Sequence, residues 1–139
     1  MSRLFDAYLA IDWSARSKPG PARPTADALW VGETVAPGIE DDTVIGETYW
    51  STRHGCAQYV RARLIHHSRL RRRVFVGFDF AYGYPRNYAR ALGLEGNAAP
   101  WRLIWNELAS RIRDDANNHN NRFEVAAAFD AQKAASELL

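Results

Sequence analysis

Short apolar runs that end on a polar residue recur along the chain, and between some of them apolar positions fall every three to four residues. The first run, Asp6 to Trp13, carries Ala7-Tyr8-Leu9-Ala10-Ile11 and stops on Asp12, Trp13 and Ser14, as a buried strand does when it reaches the rim of a sheet. Ala28 to Val35 reads as a second strand, Pro37 to Asp42 as a turn, and Thr43 to Ser51 as a third strand, so the first three strands form an antiparallel meander. Ser51 and Thr52 supply helix caps, and Cys56, Tyr59 or Val60, Leu64 and His67 recur with helical spacing from Arg53 to about Arg72. Val74 to Phe80 is a fourth strand. A helical crossover into it makes it parallel to strand one, which places Asp12 and Asp79 side by side at one edge.

Beyond that strand, Arg86 to Leu92 predicts a short helix closed by Gly93, and Pro100 opens a longer one. Trp101, Ile104 or Trp105, Leu108 and Ile112 make its apolar stripe, so Trp101 and Trp105 are expected in the core. Asp114 to Asn121 breaks the pattern with turn-forming residues, and an alanine-rich helix runs from Phe123 toward Leu139. The segment Ser14 to Thr25, with three prolines and three basic residues, is a loop outside the carboxyl end of strand one, where open sheets border their ligands.

The 139 residues fit a single domain, 47% apolar and 24% charged. One cysteine, Cys56, excludes an internal disulfide or a thiolate cluster, and no apolar run reaches membrane-spanning length, so a cytoplasmic protein with no membrane contact is expected. The net charge of +2 does not announce a nucleic-acid binder, although Arg61, Arg63, His66, His67, Arg69, Arg71, Arg72 and Arg73 crowd one helix end. His66 and His67 are adjacent, and adjacent helical residues face different ways, which makes them a poor metal pair. The chain stops on Glu137-Leu138-Leu139 without terminal punctuation, so it is expected to be the N-terminal part of a longer protein that contributes a fifth strand. Strand four, left at an edge, would then invite a homodimer.

Strand, strand, strand, helix, strand, with aspartates ending the first and fourth strands, resembles the ribonuclease H-like fold: an α/β mixed sheet in the order 3-2-1-4 with packed helices. Ile11-Asp12-Trp13-Ser14, Gly77 to Pro85 and Asn121 to Ala127 also look like the signature segments of an uncharacterised bacterial family of the ribonuclease H-like domain-of-unknown-function group. Some of its members are labelled as cobalamin or molybdopterin-cofactor biosynthesis proteins, labels to which no residue here gives a mechanism. The resemblance implies a divalent-metal-dependent phosphodiesterase or nuclease, with Asp12 and Asp79 as ligands of Mg or Mn and a third acid beside them. Hard oxygen donors suit those ions. The helix from Arg53 to Arg73 has no acid, so Glu124 is the best third candidate, with a first-turn acid suited to the helix dipole as its structural alternative.

Ser14, Lys18, Tyr82 and Arg122 are candidates for contacting a nucleic acid or a phosphorylated small molecule. Trp13, Phe78, Phe80, Tyr82 and Tyr84 offer rings near the strand ends. Two rival readings stand beside the nuclease. An actin-like nucleotide or sugar-phosphate site would need glycine after the first aspartate, where this chain has Trp13. A non-catalytic ligand-binding or nucleic-acid-binding domain would need no third acid.

Overall fold

Among the described residues three strands, a helix, a fourth strand and three further helices follow one another: β1 Ala7–Asp12, β2 Leu29–Val35, β3 Glu47–Trp50, α1 Arg53–Arg69, β4 Val74–Phe78, α2 Tyr88–Ala91, α3 Pro100–Arg111 and α4 Arg122–Ser136. The structure is a computed structural model and describes residues 3–80 and 83–136. It falls into two units, Met1–Phe80 with Asp115–His119, and Ala81–Asp114 with Asn120–Leu139.

The first unit is a mixed sheet in the order β3-β2-β1-β4, with β1 antiparallel to β2 and parallel to β4. Period-two alternation gives it two unlike faces. Ala7, Leu9 and Ile11 of β1 and Leu29 and Val31 of β2 are buried, and a core forms where Leu9, Ile11, Leu29 and Val31 meet Cys56 and Val60 of α1, with Val74, Val76 and Phe78 packed against it. Tyr8, Ala10 and Asp12 point the other way and are exposed. Thr52 caps α1 by accepting a hydrogen bond from the Gly55 amide at 3.2 Å, as its position after β3 predicts. β3 is shorter than the sequence suggests, because Gly46 takes a left-handed φ of 88° and ends the pairing there.

Two connections are tied to this unit by one buried side chain. Arg53, 5% exposed, donates from its guanidinium to the carbonyls of Ser14 and Arg16 and to that of Asn118, while its amide donates to the Asn118 side chain at 2.7 Å. Asn118, left-handed at φ 68°, in turn donates to the carbonyls of Lys18 and Ser51, both at 3.2 Å. The loop also docks through the Gly20 amide to Ser51 and the Tyr49 hydroxyl to Pro21. A β-carbon on Gly20 would overlap that hydroxyl.

In the second unit, Leu92, Val125 and Phe129 form a small core with Tyr88, Leu94, Leu108 and Ile112 against it. Gly93 closes α2 at φ 63°, and Pro100 occupies the first turn of α3, both as expected. Trp101 departs from expectation: it is 53% exposed, because the buried stripe of α3 is centred on Ile104 and its first turn projects past the packed core. Trp105 is half-buried. No helix among the described residues is long and apolar enough to cross a membrane.

Candidate functional site

β1 and β4 run parallel in the register Ala10 to Gly77 and Ile11 to Phe78, and the Asp79 amide extends the ladder by donating to the Ile11 carbonyl at 3.3 Å. The next step of that register sets Asp12 beside Asp79. Both are exposed on the outer face of the sheet, away from α1. One Asp79 oxygen, Oδ1, accepts from the Trp13 amide at 2.8 Å, which holds the carboxylate toward the strand end. Desolvation, then the neighbouring Asp79 charge, holds the Asp12 carboxyl above the ordinary range, and its hydrogen bond to Asp79 adds to the effect. No basic side chain among the described residues contributes to that balance. The pair is two hard-oxygen donors with surplus negative charge, the donor set that suits Mg2+ or Mn2+.

Topology brings a third acid to the same edge. Because β2 is antiparallel to β1, residues just before β2 lie beyond the end of β1, and the exposed Asp27 sits there, close enough for its charge to act on Asp12. Its carbonyl accepts from Arg16 at 3.1 Å, which ties it to the preceding loop.

The acids stand at one side of a shallow cleft of about 520 Å³ across the outer face. Its floor follows one row of the sheet register, Gly77, Ala10 and Gly32, and the row ends on Glu47 of β3. The three smallest side chains of their strands leave room that larger residues would fill. Asp27 and Glu47 were not singled out from the sequence. The hairpin register between β1 and β2 was the available signal for Asp27, and the alternation of β3 against Gly32 was that for Glu47.

The other sequence candidates are placed differently. Ser14 is 8% exposed, and its hydroxyl accepts from the Arg16 amide at 3.3 Å, so it serves the loop. Lys18 is exposed, with its carbonyl held by Asn118. Glu124 is exposed on the first turn of α4 in the second unit, and Arg122 of the same helix lies over the Phe123 ring at 4.6 Å. Tyr82 lies outside the described residues. Trp13, Phe78 and Phe80 pack edge-on or tilted at 5.1 to 6.5 Å, and the first two border the α1 core.

The basic helix end is largely neutralised from within. Glu33, with its side chain 1% exposed, accepts from Arg63, from the Tyr59 hydroxyl at 3.2 Å and from His67 at 2.9 Å. Asp41 accepts from Thr43 and Arg72 and contacts His66 at 3.0 Å; the Thr43 hydroxyl is the largest influence holding its carboxyl far below the usual range. Arg73 pairs with Asp6, whose carboxyl is lowered to about 2, chiefly by the Arg73 amide.

One ring nitrogen each of His66 and His67 and an Asp41 oxygen lie within 4.8 Å of one another. Adjacent histidines thus converge at the end of α1 more closely than helical spacing suggests. Arg72, bonded to Asp41 and 3.4 Å from His67 Nδ1, holds the place where an ion would bring its charge. That cluster is a salt-bridge network.

Compared with protein families, curated proteins and solved structures, the chain has no match in any of the three.

Proposed function

We propose that this chain is a divalent-metal-dependent phosphodiesterase or nuclease of ribonuclease H-like architecture, with Asp12 and Asp79 holding Mg2+ or Mn2+. The observation that carries the reading is the contact of two carboxylates at neighbouring parallel strand ends, on an open sheet face, with no cationic side chain among the described residues to balance them. Buried or crowded like charges are costly unless a ligand meets them, and their perturbed titration marks a functional site. A divalent ion bound there supplies Lewis-acid stabilisation of phosphoryl oxygens and lowers the pKa of a bound water.

The chain's own residues prepare the place. The Trp13 amide fixes one Asp79 oxygen at the strand end beside Asp12. Asp27 adds negative potential at the same edge, in the role that the helix after β3 leaves unfilled. The Gly77-Ala10-Gly32 floor gives a strand of phosphodiester backbone a path across the sheet. Arg61 at the middle of α1 and Arg69 and Arg71 at its end are exposed, whereas Arg63, Arg72 and Arg73 are engaged with internal carboxylates. The reading therefore rests on the acid edge rather than on a basic patch.

Calorimetric titration of Mn2+ into wild type, Asp12→Asn and Asp79→Asn tests it. Binding that each substitution abolishes supports the site and justifies cleavage assays on single-stranded, duplex and hybrid substrates. A folded protein that takes up no Mn2+ at millimolar concentration refutes it.

A further inference from the structure

The second unit contains a cleft of about 750 Å³ that the metal edge does not use. Its walls are rings and guanidinium groups. Tyr84 and Tyr88 stack nearly parallel, with centroids 5.5 Å apart and planes 4° from each other. Trp101 also lines the cleft and is 53% exposed, with the Arg102 guanidinium 5.1 Å from its ring centre. Arg86, in the turn before α2, and Arg90, on α2, share the lining, both exposed, and neither is held in an ion pair among the described residues. Glu95 is the single carboxylate of the lining. Between the tyrosines Asn87 adopts a left-handed φ of 66° and makes no capping hydrogen bond, a conformation that persists where the surroundings impose it and that gathers at binding sites.

Folding alone explains none of this well. A large indole left half in water forfeits burial that the small core of this unit could use, and unpaired arginines beside it gain nothing from the apolar rings except a cation-π contact. Flat ring faces with arginines at their margin match one chemistry: an aromatic base that stacks and a phosphate that accepts paired guanidinium hydrogen bonds. The volume lies in the range of small-molecule sites. We infer that the cleft lined by Tyr84, Arg86, Tyr88, Arg90 and Trp101 binds a nucleotide, with its base against the rings and its phosphate at the arginines. The inference stands independently of the metal edge.

The test uses the full chain with EDTA present, so that the acid edge contributes nothing, and titrates adenosine 5′-monophosphate, adenosine, inorganic phosphate and hexadeoxyadenylate by calorimetry. The nucleotide is expected to bind about tenfold more tightly than adenosine or phosphate alone. Trp101→Ala should weaken it about tenfold or more. Arg86→Gln combined with Arg90→Gln should make nucleotide and nucleoside equal, while Asp12→Asn should change nothing. Hexamer binding far tighter than the mononucleotide assigns the site to a nucleic-acid strand, and equal affinities assign it to a free nucleotide; both support the inference. No uptake of either probe at about 5 mM by variants and wild type of unchanged circular dichroism overturns it. So does binding that Trp101→Ala leaves intact.

Discussion

Replacing Glu33 by alanine removes the centre of the buried network under α1. Its carboxylate accepts from Arg63 at 2.7 to 2.9 Å, from Tyr59 at 3.2 Å and from His67 at 2.9 Å, and the Arg63 side chain that would lose its counter-charge is only 11% exposed. Breaking a buried pair by removing one partner leaves an uncompensated charge, at a cost of about 3 to 5 kcal/mol. The Arg63 contact to Thr43 at 3.1 Å and its residual exposure place the expected loss near the lower end, about 3 kcal/mol. With a urea slope of about 2 kcal/mol per molar, the unfolding midpoint followed by far-ultraviolet circular dichroism falls by about 1.5 M. Replacing both Glu33 and Arg63 by methionine removes the stranded charge, and this variant should lie within about 1 kcal/mol of wild type. A Glu33→Ala midpoint within about 0.3 M of wild type at unchanged slope would refute the reasoning, as would a double variant less stable than the single one.

Other consequences follow from the same geometry. Burial holds the His67 imidazole below its ordinary value of 6.5, so below that pH the unfolded chain takes up a proton that the folded chain does not. Stability therefore falls as pH drops through 6.5 toward the lower folded value, and a His67→Gln variant should show a flatter profile in urea titrations across that window. Asp12 is held above the ordinary carboxylate range, so Mn2+ affinity should decline on acidification earlier than for an isolated aspartate, and Asp27→Asn should move that decline to lower pH. Gly32→Val places a methyl-bearing side chain on the cleft floor where its β-carbon meets nothing closer than the Ala10 carbonyl oxygen at 3.9 Å. The fold should hold, with a thermal midpoint within about 4 °C of wild type, while cleavage of a polymeric substrate should lose more than Mn2+ binding does. Asn118→Ala removes the acceptor of the Arg53 amide and the side-chain donor to the Lys18 carbonyl, whereas the Ser51 carbonyl keeps the Gly20 amide, and should cost about 2 kcal/mol in urea unfolding.

The sheet was legible because its signals are local. Alternation assigned the faces of β1, turn residues placed the hairpins, and the crossover rule gave β4 its direction, so the order 3-2-1-4 and the Asp12 to Asp79 juxtaposition follow from residues near one another in sequence. What escaped the sequence depends on pairings between distant segments. Asn118 lies in a run of turn formers whose composition predicts only a break, yet it is 1% exposed and joins Lys18, Ser51 and Arg53. Arg53 reads as the first helical residue after a cap, and nothing local announces that it holds two loops. The basic run from Arg63 onward reads as a surface patch because the carboxylates that absorb part of it, Glu33 and Asp41, stand 25 to 34 residues earlier. Trp101 fits an apolar stripe by spacing, but a periodic pattern marks a face without saying how far along the helix a partner covers it.

The contrast between the two acid clusters of the first unit shows what decides a functional reading. Glu33 and Asp41 lie on the covered side or at its margin, and each meets arginine, histidine and hydroxyl donors, so their charges are spent on holding α1 to the sheet. Asp12, Asp27 and Asp79 stand at the strand ends on the open side, where the Trp13 amide donates to Asp79. Two carboxylates on neighbouring strands, Glu33 and Asp12, thus fall into opposite environments by the parity of their strand positions. Glu33 is at an odd step with Leu29 and Val31, facing inward, whereas Asp12 is at an even step with Tyr8 and Ala10, facing out. A one-residue slip of β1 would exchange these environments and bury the acid edge. The buried Leu9 and Ile11 that oppose such a slip are therefore what keeps Asp12 on the open face.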